Sequence, residues 1–233
     1  AAGDAGAAAA GTATADAGTS DAGDPSLSPP APLPYAVGAC PKLVSGLNTI
    51  KAGGAERSFR VMLPANPKGA ALVFLWHGLG DSAANFINSL GGQAIANKYN
   101  AVVIAADAVA PVPNAFAIWQ FPSPLAQKPP AFDLLLFDAL LTCTDEQYDI
   151  DNKKVMTAGF SAGAIWSTYL LLERADYLSA ALVFSGGIDA KLLFPYKTPT
   201  RKVPVMGSHG GPTDQFNSLL FFEPMMTALS QSL

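Results

Sequence analysis

The chain has 233 residues, half of them hydrophobic and only 14% charged, which suits one sizeable core, or at most a core plus an appendage. The formal net charge is −4 and the 14 Lys and Arg form no basic run, so nucleic-acid binding has no electrostatic footprint. The longest central apolar stretch, residues 70–76, stops at His77, far short of the ~20 residues of a membrane span, and a soluble protein is expected.

The sequence starts at Ala1 without a methionine or a basic-then-apolar leader, the mark of a processed or trimmed N-terminus. Residues 1–34 are almost entirely Ala, Gly, Asp, Thr, Ser and Pro. Such a segment buries too little apolar surface to offset its chain entropy and reads as a disordered tether. A tether of this composition suits a secreted or cell-envelope protein. The remaining residues, 35–233, read as one domain. Cys40 and Cys143 form one disulfide in an oxidising compartment, stay as two buried thiols, or pair with a residue outside the sequence.

Strand and helix patterns alternate from Tyr35 onward. Residues 58–63 alternate Phe59, Val61 and Leu63 against Ser58, Arg60 and Met62, an early strand. Residues 70–76 form a short continuous apolar run, the pattern of a strand buried on both faces. Asp81 or Ser82 caps a following helix with Phe86, Ile87, Leu90 and Ile95 at helical spacing. Residues 101–106 read as a strand, and 131–142 as a helix with Phe132, Leu135, Leu136 and Leu140 in one apolar stripe. Between them, Trp119-Gln120-Phe121 and the Pro-rich stretch 122–130 either border an acyl or aromatic pocket or serve as plain core and loop. Residues 154–159 are a strand, 162–173 a helix, and 180–184 and 203–206 two more strands. Met225, Met226 and Leu229 belong to a last helix. The expected fold class is α/β, a mainly parallel sheet covered by helices on both faces. Ligand sites in such sheets lie beyond the carboxyl ends of the strands.

The polar motifs fall there. Gly159-Phe160-Ser161-Ala162-Gly163 fits G-x-S-x-G between a strand and a helix, which makes Ser161 a candidate nucleophile on a sharp turn. The glycines remove side chains that would collide with neighbouring elements. The helix N-terminus adds N–H donors and partial positive charge. His77-Gly78-Leu79-Gly80 follows the strand at 70–76, where a loop supplies one oxyanion-hole N–H, the other coming from the residue after the nucleophile. The candidate donors are Leu79 and Ala162, with His77, Gly78 and Gly80 as loop support. Gly210-Gly211-Pro212-Thr213-Asp214 follows a late strand and places Asp214 as the acid that orients a histidine, with Asp189 as the alternative. Histidine occurs only at His77 and His209, and neither follows Asp214 as the order Ser, Asp, His requires. The expected account is a domain that lacks its last strand and helix, followed by a non-catalytic descendant and then by recruitment of His209.

With these residues in order, the chain resembles secreted α/β-hydrolases related to polyhydroxybutyrate depolymerases and to feruloyl and acetylxylan esterases. The likeness runs from about residue 38 to the end. It rests on Trp76-His77-Gly78-Leu79-Gly80-Asp81, on Asp149-Ile150-Asp151 through Lys153 to Gly159–Gly163, on Ser185-Gly186-Gly187 and on Gly210–Asp214. The resemblance implies the α/β-hydrolase fold and a catalytic histidine in a Gly-His segment after one more strand. The expected activity is serine-dependent hydrolysis of a carboxylic ester through an acyl-enzyme, on a small or polymeric polyester, feruloyl or acetyl substrate. The alternatives are an acyltransferase using the same serine and an inactive module that binds polymer. No cofactor, metal or nucleic-acid partner is expected, and the protein is expected to be a monomer.

Overall fold

The computed structural model describes residues 28–109, 119–120, 132–186, 197–210 and 214. Phe121, the stretch 122–130, Gly187, Asp189, Gly211-Pro212-Thr213 and the helix expected around Met225 lie outside the described residues, as do residues 1–27 of the expected tether. Residues 28–34 carry no helix or strand, and the Leu33 carbonyl accepts a hydrogen bond from the Thr142 hydroxyl.

Strands β1 (Gly46–Ala52), β2 (Ala55–Met62), β3 (Ala71–Trp76), β4 (Ala101–Ala106), β5 (Val155–Phe160), β6 (Ala180–Phe184) and β7 (Val205–Ser208) form one sheet in the order β1-β2-β4-β3-β5-β6-β7. β1 pairs antiparallel with β2, and β2 antiparallel with β4; every other pairing is parallel. The helices are α1 (Ala83–Ser89), α2 (Gly92–Tyr99), α3 (Phe132–Tyr148) and α4 (Ala162–Arg174).

The continuous apolar runs of β3 and β4 have a direct cause: both strands are buried on both faces. Leu72, Phe74 and Trp76 of β3, with Val102, Ile104 and Ala106 of β4, point into a core shared with α3 and α4. Leu75, Ala101, Val103 and Ala105 point the other way, onto Phe86 and Ile87 of α1 and Ala96 of α2. Alternation along each strand divides its side chains between two cores.

Three expectations need correction, and one strand lies where none was expected. β1 was not anticipated, because its inward residues include Asn48 and Ala52 beside Ile50, a pattern too weakly apolar to stand out. Gly53 and Gly54 turn the chain from β1 into β2, both with positive φ, the two-residue glycine loop that matches the twist of a hairpin. The helix expected to carry Phe86 through Ile95 is two helices, broken where Gly91 adopts φ 67° and caps α2. Ser82 caps α1, its hydroxyl accepting from the Asn85 N–H. The stripe on α3 fails at Leu135, which is 49% exposed. The helix is instead buried at 134 and from 136 to 144, because it lies between the sheet and the 33–43 segment. Cys143 is disulfide-bonded to Cys40, Tyr148 donates to the Leu43 carbonyl, and Gln147 bonds Pro41 and Leu43. The strand expected at 203–206 is displaced to β7, since Pro204 has no N–H and only its carbonyl joins the ladder, accepting from Ala181.

Candidate active site

The carboxyl ends of β3, β5, β6 and β7 come together along one edge of the sheet, and each carries one of the motifs. Ser161 follows β5 in a conformation that residues other than glycine seldom adopt, φ 52° and ψ −116°, the strain of a sharp strand-to-helix turn. Its N–H donates to the Phe184 carbonyl of β6, and its own carbonyl accepts from Ala164 and Ile165. Ala162 opens α4, whose first N–H groups have no acceptor within the helix.

Glycines let this turn exist. A Cβ on Gly163 would sit 1.9 Å from the Trp76 carbonyl oxygen and 2.8 Å from that of His77, and one on Gly159 would sit 2.0 Å from the Gly163 oxygen. A Cβ on Gly186 would fall 2.4 Å from the Ser161 oxygen. The start of α4 is thus packed, backbone on backbone, between the end of β3 and the loop after β6. Gly186 plays a part that composition alone does not flag.

The loop after β3 reaches the serine. A Cβ on Gly78 would lie 3.5 Å from Ser161 Cβ and 3.3 Å from the Phe160 ring. Leu79 and Phe160, the chain neighbours of Gly78 and Ser161, are both exposed apolar side chains. Gly80 turns the loop with φ 75°, and Asp81 donates its N–H to the Gly78 carbonyl.

His77 is buried and engaged at both ring nitrogens. Nε2 accepts the Ala108 N–H at 3.1 Å, which leaves Nδ1 to donate to the Gly78 carbonyl at 2.7 Å. The Trp119 indole donates to the His77 carbonyl at 2.8 Å and stands 5.0 Å from the imidazole. A histidine so occupied holds a loop and has no lone pair left for a substrate proton. Trp119 is core, packed with Trp76 and Trp166, and gathers all three tryptophans of the chain behind the serine.

His209 and Asp214 follow β7, separated from β5 by β6 alone. The Asp214 carboxylate accepts the Gly210 N–H at 2.8 Å. Among the described residues no group of three or more His, Cys, Asp or Glu is placed to hold a metal ion, and no helix is long and apolar enough to cross a membrane.

Sequence reasoning missed a buried ion pair. Arg57 of β2 and Asp133 of α3 meet at 2.6 Å, both almost wholly buried. Burial pushes the Asp133 carboxyl above its ordinary value, while the Arg57 cation pulls it down. Arg57 precedes the strand expected at 58–63, and Asp133 lies in the first turn of the helix expected at 131–142. No local signal joins them.

The sequence profile of the phospholipase/carboxylesterase family matches residues 136–232, under half of the chain but including β5, Ser161, α4 and β6. No curated protein matches significantly. Among solved structures, native pOPH is similar with a TM-score of 0.64 at 20% identity, covering 82% of this chain and 77% of that one. Native sOPH gives 0.61 at 18% identity, with 82% and 78% covered. Acetyl xylan esterase from Aspergillus awamori gives 0.50 at 16% identity, with 60% and 51% covered. The mostly parallel sheet flanked by helices, the strained serine after β5 and these likenesses together identify the chain as an α/β-hydrolase fold.

Proposed function

We propose that this protein hydrolyses carboxylic esters, with Ser161 as the nucleophile. The observation that carries the reading is the backbone of Ser161 itself: a positive φ on a non-glycine residue, between strand and helix, held by three glycines that admit no Cβ. Such strain needs a reason, and presenting a hydroxyl to substrate supplies one. The phospholipase/carboxylesterase match across this segment and the acetyl xylan esterase likeness point to the same chemistry.

In the proposed reaction the Ser161 oxygen attacks the ester carbonyl, and the N–H groups of Leu79 and Ala162 receive the developing oxyanion. Gly78 beside Ser161 supports the first assignment, and the position of Ala162 at the head of α4 the second. The alcohol leaves, and water releases the acyl group from the serine. Asp214 orients the imidazole that serves as base. Strands β5 and β7 stand roughly 10 Å apart across β6, a gap that one imidazole with a hydrogen bond at each end can bridge. His77 is not assigned as that base, because both of its ring nitrogens are engaged. The exposed Leu79 and Phe160 favour a substrate with an apolar or aromatic portion. We further infer a secreted or cell-envelope location, supported by the Cys40–Cys143 disulfide.

The experiment is p-nitrophenyl ester hydrolysis by the full-length protein and its Ser161→Ala variant. The reading predicts loss of activity by several orders of magnitude with the fold intact. A cleanly folded variant that keeps most of its activity would remove Ser161 from the role.

A further inference from the structure

We infer that the buried Arg57–Asp133 pair is a positioning device for the oxyanion loop, acting through His77; the inference rests on the proposed ester hydrolysis. The contacts close into a ring. Arg57 Nη2 donates to the Asp107 carbonyl at 3.1 Å. The next residue, Ala108, donates to His77 Nε2 at 3.1 Å. The His77 carbonyl accepts from Trp119 Nε1 at 2.8 Å. Gln120, adjacent to Trp119, donates its N–H to Asp133 Oδ2, and Asp133 Oδ1 meets Arg57 at 2.6 Å. The Asp107 carboxylate is also occupied, accepting from the Ser58 hydroxyl and from the Ala83 N–H at the head of α1.

The ring converges on a single peptide plane. His77 Nδ1 donates to the Gly78 carbonyl at 2.7 Å. The Gly78–Leu79 peptide is planar and trans, so fixing its C=O fixes the Leu79 N–H in the opposite direction. That N–H is the proposed oxyanion donor. The imidazole is thus clamped on one nitrogen by the loop after β4 and aims the peptide with the other. Arg57 and Asp133 tie together the two segments that grip it, one holding its ring and one its carbonyl. Two charges in a dry interior are a poor source of stability, but they are suited to fixing two loops in one register. An oxyanion donor acts in the transition state more than in substrate binding. Loosening it therefore lowers kcat and spares KM.

The test uses the full-length protein with Arg57→Met, Arg57→Lys and the double variant Arg57→Met/Asp133→Asn, in which Asn keeps an acceptor for Gln120 and no buried charge is left unpaired. Two readouts are taken on each folded protein: p-nitrophenyl acetate kinetics, and hydrogen exchange of the amides at 78–81. The inference expects kcat to fall about 10- to 100-fold with KM within about twofold. It expects the 78–81 amides of both Met variants to exchange at least about tenfold faster, and Arg57→Lys to recover part of both losses. If Arg57→Met fails to fold, the double variant decides. Wild-type exchange at 78–81, or unchanged kcat, in a folded Met variant overturns the inference. An inactive wild type sinks the ester-hydrolase reading instead, and the exchange arm still decides whether the ring holds the loop.

Discussion

Replacing Gly163 by alanine puts the packing of the nucleophile turn to a quantitative test. The added Cβ would lie 1.9 Å from the Trp76 carbonyl oxygen, where an ordinary C···O contact needs about 3.3 Å. The head of α4 must therefore retreat by roughly 1.4 Å, or β3 must give way. Neither is free to move: Trp76 is fully buried and carbonyl contacts replace any flexible side chain. Overpacking costs about 1–3 kcal/mol when side chains can adjust, and a backbone collision belongs at or above the upper end. At about 2–4 °C per kcal/mol for a domain of this size, melting should fall by roughly 6–12 °C. Because α4 carries the Ala162 N–H and follows Ser161 directly, a shift near 1 Å should also cost on the order of 100-fold in ester hydrolysis. Circular-dichroism melting and p-nitrophenyl acetate kinetics measure the two effects. A Gly163→Ala protein that melts within a degree of wild type, or keeps its rate, would show that α4 does not bear on β3 as described.

Further outcomes follow from the same geometry. The Cys40–Cys143 bridge closes a loop of 103 residues in sequence. Its replacement by two serines should cost about 2–5 kcal/mol, read as a lowered melting temperature that reductant reproduces in the wild type and leaves unchanged in the variant. Arg57→Met strands a buried carboxylate and should cost about 3–5 kcal/mol, most of it regained in Arg57→Met/Asp133→Asn; urea denaturation measures both. Ser82→Ala removes the hydroxyl that accepts from Asn85 and should cost about 1 kcal/mol by the same method.

The sequence carried the frame of the fold because its central strands are buried on both faces. Runs such as Ala71–Trp76 and Ala101–Ala106 are too short for a typical helix and rich enough in apolar residues to read as buried strands. What was hidden depended on neighbours distant in the chain. β1 hides because the residues it turns inward include an asparagine and an alanine. α3 loses its stripe because the 33–43 segment covers a face that a surface helix would leave to solvent. At the site, G-x-S-x-G and His-Gly-Leu-Gly are local motifs, and local reading found them. The clamp on His77 could not be read locally: Arg57, Asp107, Trp119 and Asp133 meet only when β2, the loop after β4 and α3 are brought together.

If Ser161 is an activated nucleophile, covalent labelling will find it. The full-length protein is treated with a serine-directed fluorophosphonate and digested, and the modified residue is located by mass spectrometry. One adduct is expected, on Ser161, lost in Ser161→Ala and after heat unfolding, since the reactivity comes from the folded turn. Absence of any adduct from the folded, full-length protein, or an adduct on another serine that persists in Ser161→Ala, would contradict it.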